Sequence, residues 1–455
     1  MLTRQCAARA AALPENALPP LPLNIVCVIV LRLPPDQRLL LALVSRPWRA
    51  VVDDASLWSE INVSPSSGVC RASDALLRAL SAKARSLMVS LDVSGLLGYQ
   101  TGVVSRRAAF EVLRYNSRSL RHVDVRCGDE PLHEWHTLPL GYVAELREAA
   151  PHASFFVDVS CDPSSEVAEL FSGATRLGCA SDQLVVRRLC VEPVYGDRDT
   201  HWTHEALCIS RLSSMLAATH PPIREVVIYH APVDVPGALA ALAATVQASR
   251  ISCLRIYQCN LGNSFDDLLP ALSGGCLTSF GLFGGQVNFR TLSFPAALRT
   301  CILTRLFLSD VGLWNDISIG VAVVQAVTNH ASLVYANLSR NIAGVQQQQE
   351  LGPALAALVA ANASALTSLN MSACNLRDGG MTQVVEALRV NTHLTFVRIS
   401  GNNPGPGFGA LLRRCLESNT TLRELYANTN DHEDWREINL LEAAVARRSG
   451  PGVHV

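Results

Sequence analysis

The C-terminal half of the chain alternates apolar and polar positions in a regular way. Three segments follow the pattern L-x-x-L-x-L-x-x-N/C or a close variant of it: residues 366–376, 394–403 and 422–430. Their central apolar residues, Leu369, Val397 and Leu425, are successively 28 residues apart. Alternating apolar residues predict a short strand with one buried face, and an Asn or Cys in the next turn can bond buried backbone groups. The pattern therefore predicts one strand in each repeat of 28 residues.

The same strand position continues towards the N-terminus at less regular intervals. It is filled by Ala336, Leu306, Phe280, Leu254 and Val226, and more loosely by Leu189, Val157, Val123 and Leu91. The Asn/Cys position is filled by Cys259, Asn341, Cys374, Asn402 and Asn430. Small or aliphatic residues at i, i+3 and i+4 predict intervening helices in 237–248, 319–331, 352–363, 381–391 and 408–419. About twelve repeats are expected, forming an α/β solenoid with a curved parallel sheet inside and helices outside.

Residues 21–61 have a helical pattern instead. Ile25, Val28, Ile29 and Leu33 fall at i, i+3, i+4 and i+8, which is one face of a helix. Two prolines follow and end this helix. A second helix fits 36–44, and Ser45 is placed to cap a third, with Pro47 in its first turn. A segment of about 40 residues cannot bury so many large apolar side chains internally, so some of them are expected to face a partner.

The order of these residues resembles the F-box, a helical module that docks onto the Skp-family adaptor of Skp–cullin–F-box ubiquitin ligases. The resemblance implies the adaptor-binding residues Leu21, Pro22, Ile25, Val28, Ile29, Leu33, Leu43, Val44, Trp48, Leu57 and Trp58. Asn24 departs from the pattern, because the family often carries an acidic residue there. A generic three-helix docking module is the alternative interpretation.

The repeat resembles the ribonuclease-inhibitor type of leucine-rich repeat, and the two resemblances together point to the F-box/leucine-rich-repeat class of substrate receptors. They imply a non-catalytic subunit that binds the Skp-family adaptor, and through it cullin, and recruits an unknown protein substrate. A non-ligase leucine-rich-repeat inhibitor or scaffold with a degenerate F-box is the alternative. The expected organisation is a disordered segment (1–20), the F-box (21–61), a linker (62–73), the solenoid (74–430) and a C-terminal cap and tail (431–455).

Composition narrows the function further. The formal net charge of −1 in 455 residues lacks the basic excess of a nucleic-acid binder. No apolar run approaches the roughly 18 residues that a membrane span needs. The 14 cysteines include no C-x-x-C pair, and the pairs His133/His136 and His201/His204 lack matching ligands. No hydrolase or nucleotide-binding motif is present. We therefore expect a cytoplasmic or nuclear protein with reduced cysteines and without metal or cofactor.

The inner strands also predict a surface for the target. Tyr229, Tyr257 and Phe283 follow the inner strand residue by three in consecutive repeats, with Arg255 and Phe307 at neighbouring outward positions. Exposed aromatic rings beside arginine are typical of interaction hot spots. The alternative is that the rings only shield the core, or that the register is off by one and they point inward.

Lysine is almost absent from the chain. Lys83 is the only one, and arginine supplies every other basic side chain. A compositional bias explains this pattern. A sharper hypothesis is that a ligase subunit with so few acceptor amines escapes its own ubiquitination, because arginine cannot act as the acceptor.

Overall fold

The computed structural model describes residues 23–44, 46–64, 67, 72–96, 103–126, 138–161, 184–191, 209–217, 223–231, 233, 235–289, 291–362, 365–428 and 435–449. The chain divides into two compact units, Met1–Val191 and Glu192–Val455. The predicted disordered segment 1–20 lies outside the described residues.

Three helices and a 3-10 turn open the first unit: α1 (Leu23–Arg32), α2 (Pro35–Val44), α3 (Arg46–Val52) and the turn Ala55–Trp58. The three predicted helices are therefore present, although α2 begins one residue earlier than predicted. Proline suits the first position of a helix, where its missing N–H leaves no bond unmade. The Asp54 carboxylate caps the 3-10 turn and accepts a hydrogen bond from the Ser56 N–H at 2.9 Å.

The rest of the first unit is a parallel sheet with helices. Its strands are β1 (Glu60–Asn62), β2 (Ser90–Asp92), β3 (His122–Asp124), β4 (Leu138–Pro139), β5 (Ser154–Cys161) and β6 (Leu184–Val191). Its helices are α4 (Asp74–Ala84), α5 (Arg106–Tyr115) and α6 (Leu140–Ala149). The strand order is β1-β2-β3-β5-β6, with β4 paired to β5. The sheet begins directly after the 3-10 turn, so the predicted linker 62–73 starts inside β1.

The second unit continues the strand–helix alternation. Its strands are β7 (Glu225–Tyr229), β8 (Cys253–Tyr257), β9 (Ser279–Phe283), β10 (Arg305–Ser309), β11 (Tyr335–Asn337), β12 (Ser368–Asn370), β13 (Phe396–Arg398) and β14 (Glu424–Tyr426). Its helices are α7 (Ile209–Ala217), α8 (Ala238–Ala248), α9 (Pro270–Ser273), α10 (Ser293–Thr300), α11 (Ile317–Thr328), α12 (Gln348–Ala360), α13 (Arg377–Val390), α14 (Phe408–Ser418) and α15 (Trp435–Ala446). Strands β7 to β14 pair in parallel in chain order.

The predicted strand positions of the second unit form one buried row. Each member pairs directly with the next, in the order Val226, Leu254, Phe280, Leu306, Ala336, Leu369, Val397 and Leu425. Their exposed fractions are between 0 and 3%. Because side chains alternate along a strand, the residues on either side of this row point to the opposite face of the sheet. The predicted register is confirmed in this unit.

In the first unit the register is less regular. Leu91 pairs with Val123, as predicted, but the partner of Val123 on β5 is Phe155 and not Val157. Val157 lies two residues further along the same strand, so both side chains face the core and both are buried. A shift in pairing between β5 and β6 follows at Val157 and Asp158. Two apolar residues at i and i+2 fit the repeat pattern equally well, and the pattern alone does not choose between them.

Asparagines in the turns after the strands bond the backbones of neighbouring repeats together. The Asn402 amide donates to the carbonyls of Met371 and Ile399, both at 2.8 Å, and its oxygen accepts from the N–H groups of Cys374 and Leu376. Asn341 makes the corresponding bonds two repeats earlier, to Leu308 and Leu338 among others. Cys374 and Cys259 donate through sulfur to carbonyls of the same kind, and Asn430 lies outside the described residues.

A second row of polar caps, which the sequence analysis did not predict, lies where helices turn back into strands. The Asn391 amide donates to Val359 O, and the Asn419 amide donates to Leu388 O. The oxygen of each accepts from backbone N–H groups two and three residues ahead. His330 takes the same place, with Nδ1 accepting from Ser332 and Leu333. Buried backbone groups are thus satisfied at both ends of the strands.

Helix α15 covers the last strand of the sheet. Its Glu442 carboxylate accepts a hydrogen bond from the Ala427 N–H at 2.5 Å, and Glu437 forms an ion pair with Arg413 of α14 at 2.7 Å. Partial burial raises the pKa of the Glu442 carboxyl, and the bond from Ala427 acts against that rise. An edge strand with unpaired backbone groups invites association with another chain, so this helix acts as a cap.

We expect Asn402→Ala to lower the free energy of unfolding of the second unit by about 3 kcal/mol or more. The change leaves two buried carbonyls and two buried N–H groups without partners, and each orphaned group costs about 1 to 3 kcal/mol. Urea unfolding followed by circular dichroism measures the difference. Asn260→Ala is the matched control, because Asn260 is exposed in a turn of another repeat; equal stability of the two variants would contradict the role of Asn402.

Candidate docking surfaces

Helix α1 is apolar on two sides. Val26 and Val30 are buried inside the helical module, with exposed fractions of 1 and 0%. Ile25, Val28 and Ile29 are exposed to 42, 55 and 44%. The module thus has an internal core and, on the same helix, three large aliphatic side chains in contact with solvent.

Helix α2 adds further exposed apolar residues at its C-terminal end. Leu43 and Val44 are exposed to 75 and 67%, as is Leu40 to 59%, which the sequence analysis did not predict. We call the exposed aliphatic side chains of the two helices the exposed apolar set: Ile25, Val28, Ile29, Leu31, Leu40, Leu43 and Val44. Concentration of such residues in one small module marks an interaction site.

The other residues predicted to bind the adaptor lie elsewhere. Leu57 and Trp58 are fully buried, so they hold the module together and are not available to a partner. The Trp58 indole N–H donates to Val52 O at 2.8 Å, which joins the 3-10 turn to α3. Leu33 and Trp48 are half-buried. Leu21 and Pro22 lie outside the described residues.

Arg38 of α2 connects the parts of the module, and the sequence analysis did not single it out. Its guanidinium donates to Leu31 O at 2.7 Å, to Leu33 O at 2.8 Å and to Leu57 O at 3.2 Å. The first two carbonyls lie at the C-terminal end of α1, where the helix dipole favours a positive charge. Burial lowers the pKa of the Arg38 guanidinium, and these three bonds compensate for its loss of water.

Lys83, the only lysine, lies in α4, and its ammonium group forms an ion pair with Asp53. Asp53 follows α3 directly, so the ion pair joins the helical module to the first helix of the repeats within the same unit. The Lys83 side chain is 32% exposed. The one side-chain amine of the chain is therefore engaged and partly covered.

In the second unit, the aromatic residues predicted to face outward lie on the sheet face opposite the buried leucines, which we call the open face. Tyr229 pairs with Tyr257, and Tyr257 pairs with Phe283. Their rings stack, with centroids 4.5 and 4.2 Å apart and planes within 15 and 10° of parallel. Tyr257 is only 5% exposed because it lies between the other two rings.

Arg255 and Phe307 extend this row towards β11. The Arg255 guanidinium lies over the Phe307 ring, 5.0 Å from its centroid, although the two residues come from β8 and β10. Gly281, on the strand between them, makes this approach possible: a Cβ there would lie 3.3 Å from Arg255 Cγ and 2.6 Å from the Phe283 ring. Phe307 in turn contacts the Tyr335 ring, with centroids 5.0 Å apart.

A second group of aromatic rings and arginine, which the sequence analysis missed, lies at the C-terminal end of the open face. Arg398 lies 4.5 Å from the centroid of the Tyr426 ring and 5.7 Å from that of Phe396. Alternation along the strands could have predicted them. Each lies next to a buried residue, Val397 or Leu425, on its strand and therefore points to the open face.

Membrane-spanning helices and metal-ligand groups were looked for among the described residues. No helix among them is long and apolar enough to cross a membrane. They contain no group of three or more His, Cys, Asp or Glu side chains arranged to hold a metal ion, and His133, His136, His201 and His204 lie outside them. Burial raises the pKa of the Cys259, Cys374 and Cys415 thiols to about 12, as expected of unreactive core cysteines.

Known proteins were compared with the chain by domain family and by structure. The model of the F-box domain matches residues 18–60. Among solved structures, the yeast Rad7 and Elc1 complex is similar at 12% identity, with a TM-score of 0.47 over 79% of this chain and 84% of that chain. The mouse RP105/MD-1 complex is similar at 11% identity, with a TM-score of 0.35 over 78 and 62% of the two chains. Residues 18–60 therefore match the F-box domain, and the described residues after them form in-register strand–helix repeats of the leucine-rich-repeat kind.

Proposed function

We propose that the chain is the substrate-recognition subunit of a Skp–cullin–F-box ubiquitin ligase. Its F-box binds the Skp-family adaptor, and through it cullin, while the open face of the repeats binds a target protein. The observation that carries this proposal is the exposed apolar set on α1 and α2, inside the segment that matches the F-box domain. The chain itself is non-catalytic in this account, and other subunits transfer ubiquitin.

The exposed apolar set has the chemistry of an adaptor contact. Burying one Val, Leu or Ile side chain contributes about 1.5 to 3 kcal/mol, and association costs at least about 4 kcal/mol in lost freedom. Several of the seven side chains of the set are therefore needed together to give stable binding. The internal core of Val26, Val30, Leu57 and Trp58 keeps the helices fixed while the set is exposed, which lowers the cost of ordering on binding.

We place this function in the cytoplasm or the nucleus. Cys253, Cys259, Cys276, Cys301, Cys374 and Cys415 are free thiols, and most of them are buried, as expected in a reducing compartment. The alternative function is a scaffold or inhibitor whose repeats bind a protein but whose F-box no longer binds the adaptor. Direct measurement of adaptor binding separates the two functions.

We expect Ile29→Asp and Leu43→Asp, tested singly, to weaken binding of the purified chain to the Skp-family adaptor by about tenfold or more, which is about 1.4 kcal/mol. A carboxylate cannot enter an apolar contact without losing its water. Since both side chains are exposed, the thermal unfolding midpoint of either variant stays unchanged. Isothermal titration calorimetry measures the affinity.

Leu292→Asp serves as the control, because Leu292 is an aliphatic residue exposed to 61% in the second unit. It should leave the adaptor affinity at the level of the unmodified chain. If the F-box variants also bind as the unmodified chain does, or if the unmodified chain does not bind the adaptor, the proposed function is wrong.

The near absence of lysine leads to a separate expectation. In a reconstituted ligase, self-ubiquitination of this chain should be confined to Lys83 and the N-terminal amine, and the ion pair with Asp53 should keep modification of Lys83 slow. Asp53→Asn frees the amine, so it should speed that modification. Peptide mass spectrometry locates the modified residues. Heavy modification at other side chains would contradict the hypothesis. Compositional bias would then be a sufficient explanation for the single lysine.

A further inference from the structure

Three arginines on the open face carry positive charge that no described residue neutralises. They are Arg255 on β8, Arg305 on β10 and Arg398 on β13. None of the three forms an ion pair with any described residue. Arg255 is only 8% exposed, and its Nε is buried without a hydrogen-bond partner among the described residues. A buried charge without a counter-charge is costly, so this arrangement indicates a partner that supplies one.

Contacts with aromatic rings hold two of these guanidiniums in place. Arg255 lies over Phe307, and Arg398 lies over Tyr426. A guanidinium that lies over a ring uses its flat face for the contact and keeps its N–H groups, at the edge of the plane, for other partners. These edges suit the two oxygens of a carboxylate, which accept a pair of parallel bonds.

The three arginines form one electrostatic site around Tyr335. Arg305 pairs directly with Tyr335 across β10 and β11, and Phe307 brings the Arg255 guanidinium to the same ring. Burial raises the pKa of the Tyr335 hydroxyl, while the charges of Arg398, Arg255 and Arg305 act to lower it.

Acidic residues are excluded from this part of the face. Strands β8 to β13 place Cys, Ser, Gly, Asn, aromatic residues and the three arginines on it, but no Asp or Glu. Carboxylates occur on the two outer strands, at Glu225 of β7 and Glu424 of β14, and Asp310 lies in the turn after β10. The centre of the face is thus positive and aromatic, which complements an acidic partner.

We propose that this part of the open face binds an extended acidic segment of the target protein, with its Asp or Glu carboxylates paired to Arg255, Arg305 and Arg398. The proposal rests on the proposed function and specifies its substrate class. The Arg255 guanidinium lies over Phe307, on the same strand β10 as Arg305, and β13 with Arg398 is roughly 14 Å from β10 at about 4.8 Å per strand. An extended peptide rises about 3.3 Å per residue and its side chains alternate between two faces, so a segment lying across the strands presents carboxylates to the sheet two and then four residues apart.

This spacing favours several carboxylates over a single phosphate group. A phosphate would be bound most strongly where several guanidiniums meet at one set of oxygens. Here the Arg255 guanidinium lies over Phe307 on β10 and the Arg398 guanidinium over Tyr426 on β14, four positions away in the sheet. Single charges distributed along a peptide match this arrangement.

The test uses the full chain and a fluorescent ten-residue peptide with Glu at its second, fourth and eighth positions, which share one face of an extended chain, and uncharged residues elsewhere. We expect saturable binding by fluorescence anisotropy. The same peptide with Gln at all three positions should bind at least tenfold more weakly, and added salt should weaken binding of the Glu peptide. A third peptide carries phosphoserine at the fourth position and Gln at the other two.

Arg255→Gln and Arg398→Gln should each weaken binding of the Glu peptide by about tenfold, which is about 1.4 kcal/mol. Arg299→Gln is the matched control, because Arg299 is exposed in the last turn of α10 and lies outside the open face. It should bind the peptide as the unmodified chain does. The thermal unfolding midpoint of each variant verifies that it is folded.

Three results would overturn the inference. They are no saturable binding of the Glu peptide at millimolar concentration, equal binding of the Glu and Gln peptides, and unchanged affinity in folded Arg255→Gln and Arg398→Gln. Tighter binding of the phosphoserine peptide than of the Glu peptide would assign the site to phosphorylated targets. That result would also reject the inference. Adaptor binding by the same variants is measured in parallel, because a chain that binds adaptor but not peptide contradicts this inference and leaves the proposed function intact.

Discussion

The structure depends on parallel pairing of the strands in register. Because each strand position lies beside the same position of the next repeat, one row of residues, from Val226 to Leu425, forms the core of the second unit. The same constraint aligns the residues on either side of this row into rows on the open face. The Asn341 and Asn402 bonds between repeats hold the register at the turns. The rows of the open face therefore arise as a direct consequence of how the core is built.

Much of the fold could be predicted from the sequence, because a repeat shows the same signal many times. Every predicted strand position from Leu91 to Leu425 lies in a strand. The failure at Val157 has a physical cause: Phe155 and Val157 face the same side of β5, so hydrophobicity cannot distinguish them. The caps Asn391, Asn419 and His330 were missed because they lie between helix and strand, at a position that the strand pattern does not include.

The docking surfaces were less predictable because they depend on which apolar residues remain exposed. Helix α1 is apolar all round, and its sequence does not say that Val26 and Val30 are buried while Val28 is exposed. Tertiary packing decides this through Arg38, which ties α1 to α2 and to the 3-10 turn. On the open face, alternation along the strands predicted the Tyr229–Tyr257–Phe283 row. The contact of Arg255 with Phe307 depends on the missing side chain of Gly281 and was not predictable from alternation.

The central claim is that one chain carries two independent docking surfaces, the F-box for the adaptor and the open face for the target. Hydrogen–deuterium exchange of the full chain, alone and saturated with purified Skp-family adaptor, tests it most directly. The account predicts slower exchange in peptides covering α1 and α2, with unchanged exchange in β8 to β13. Absence of protection in α1 and α2, or protection that appears only in the repeats, would contradict it.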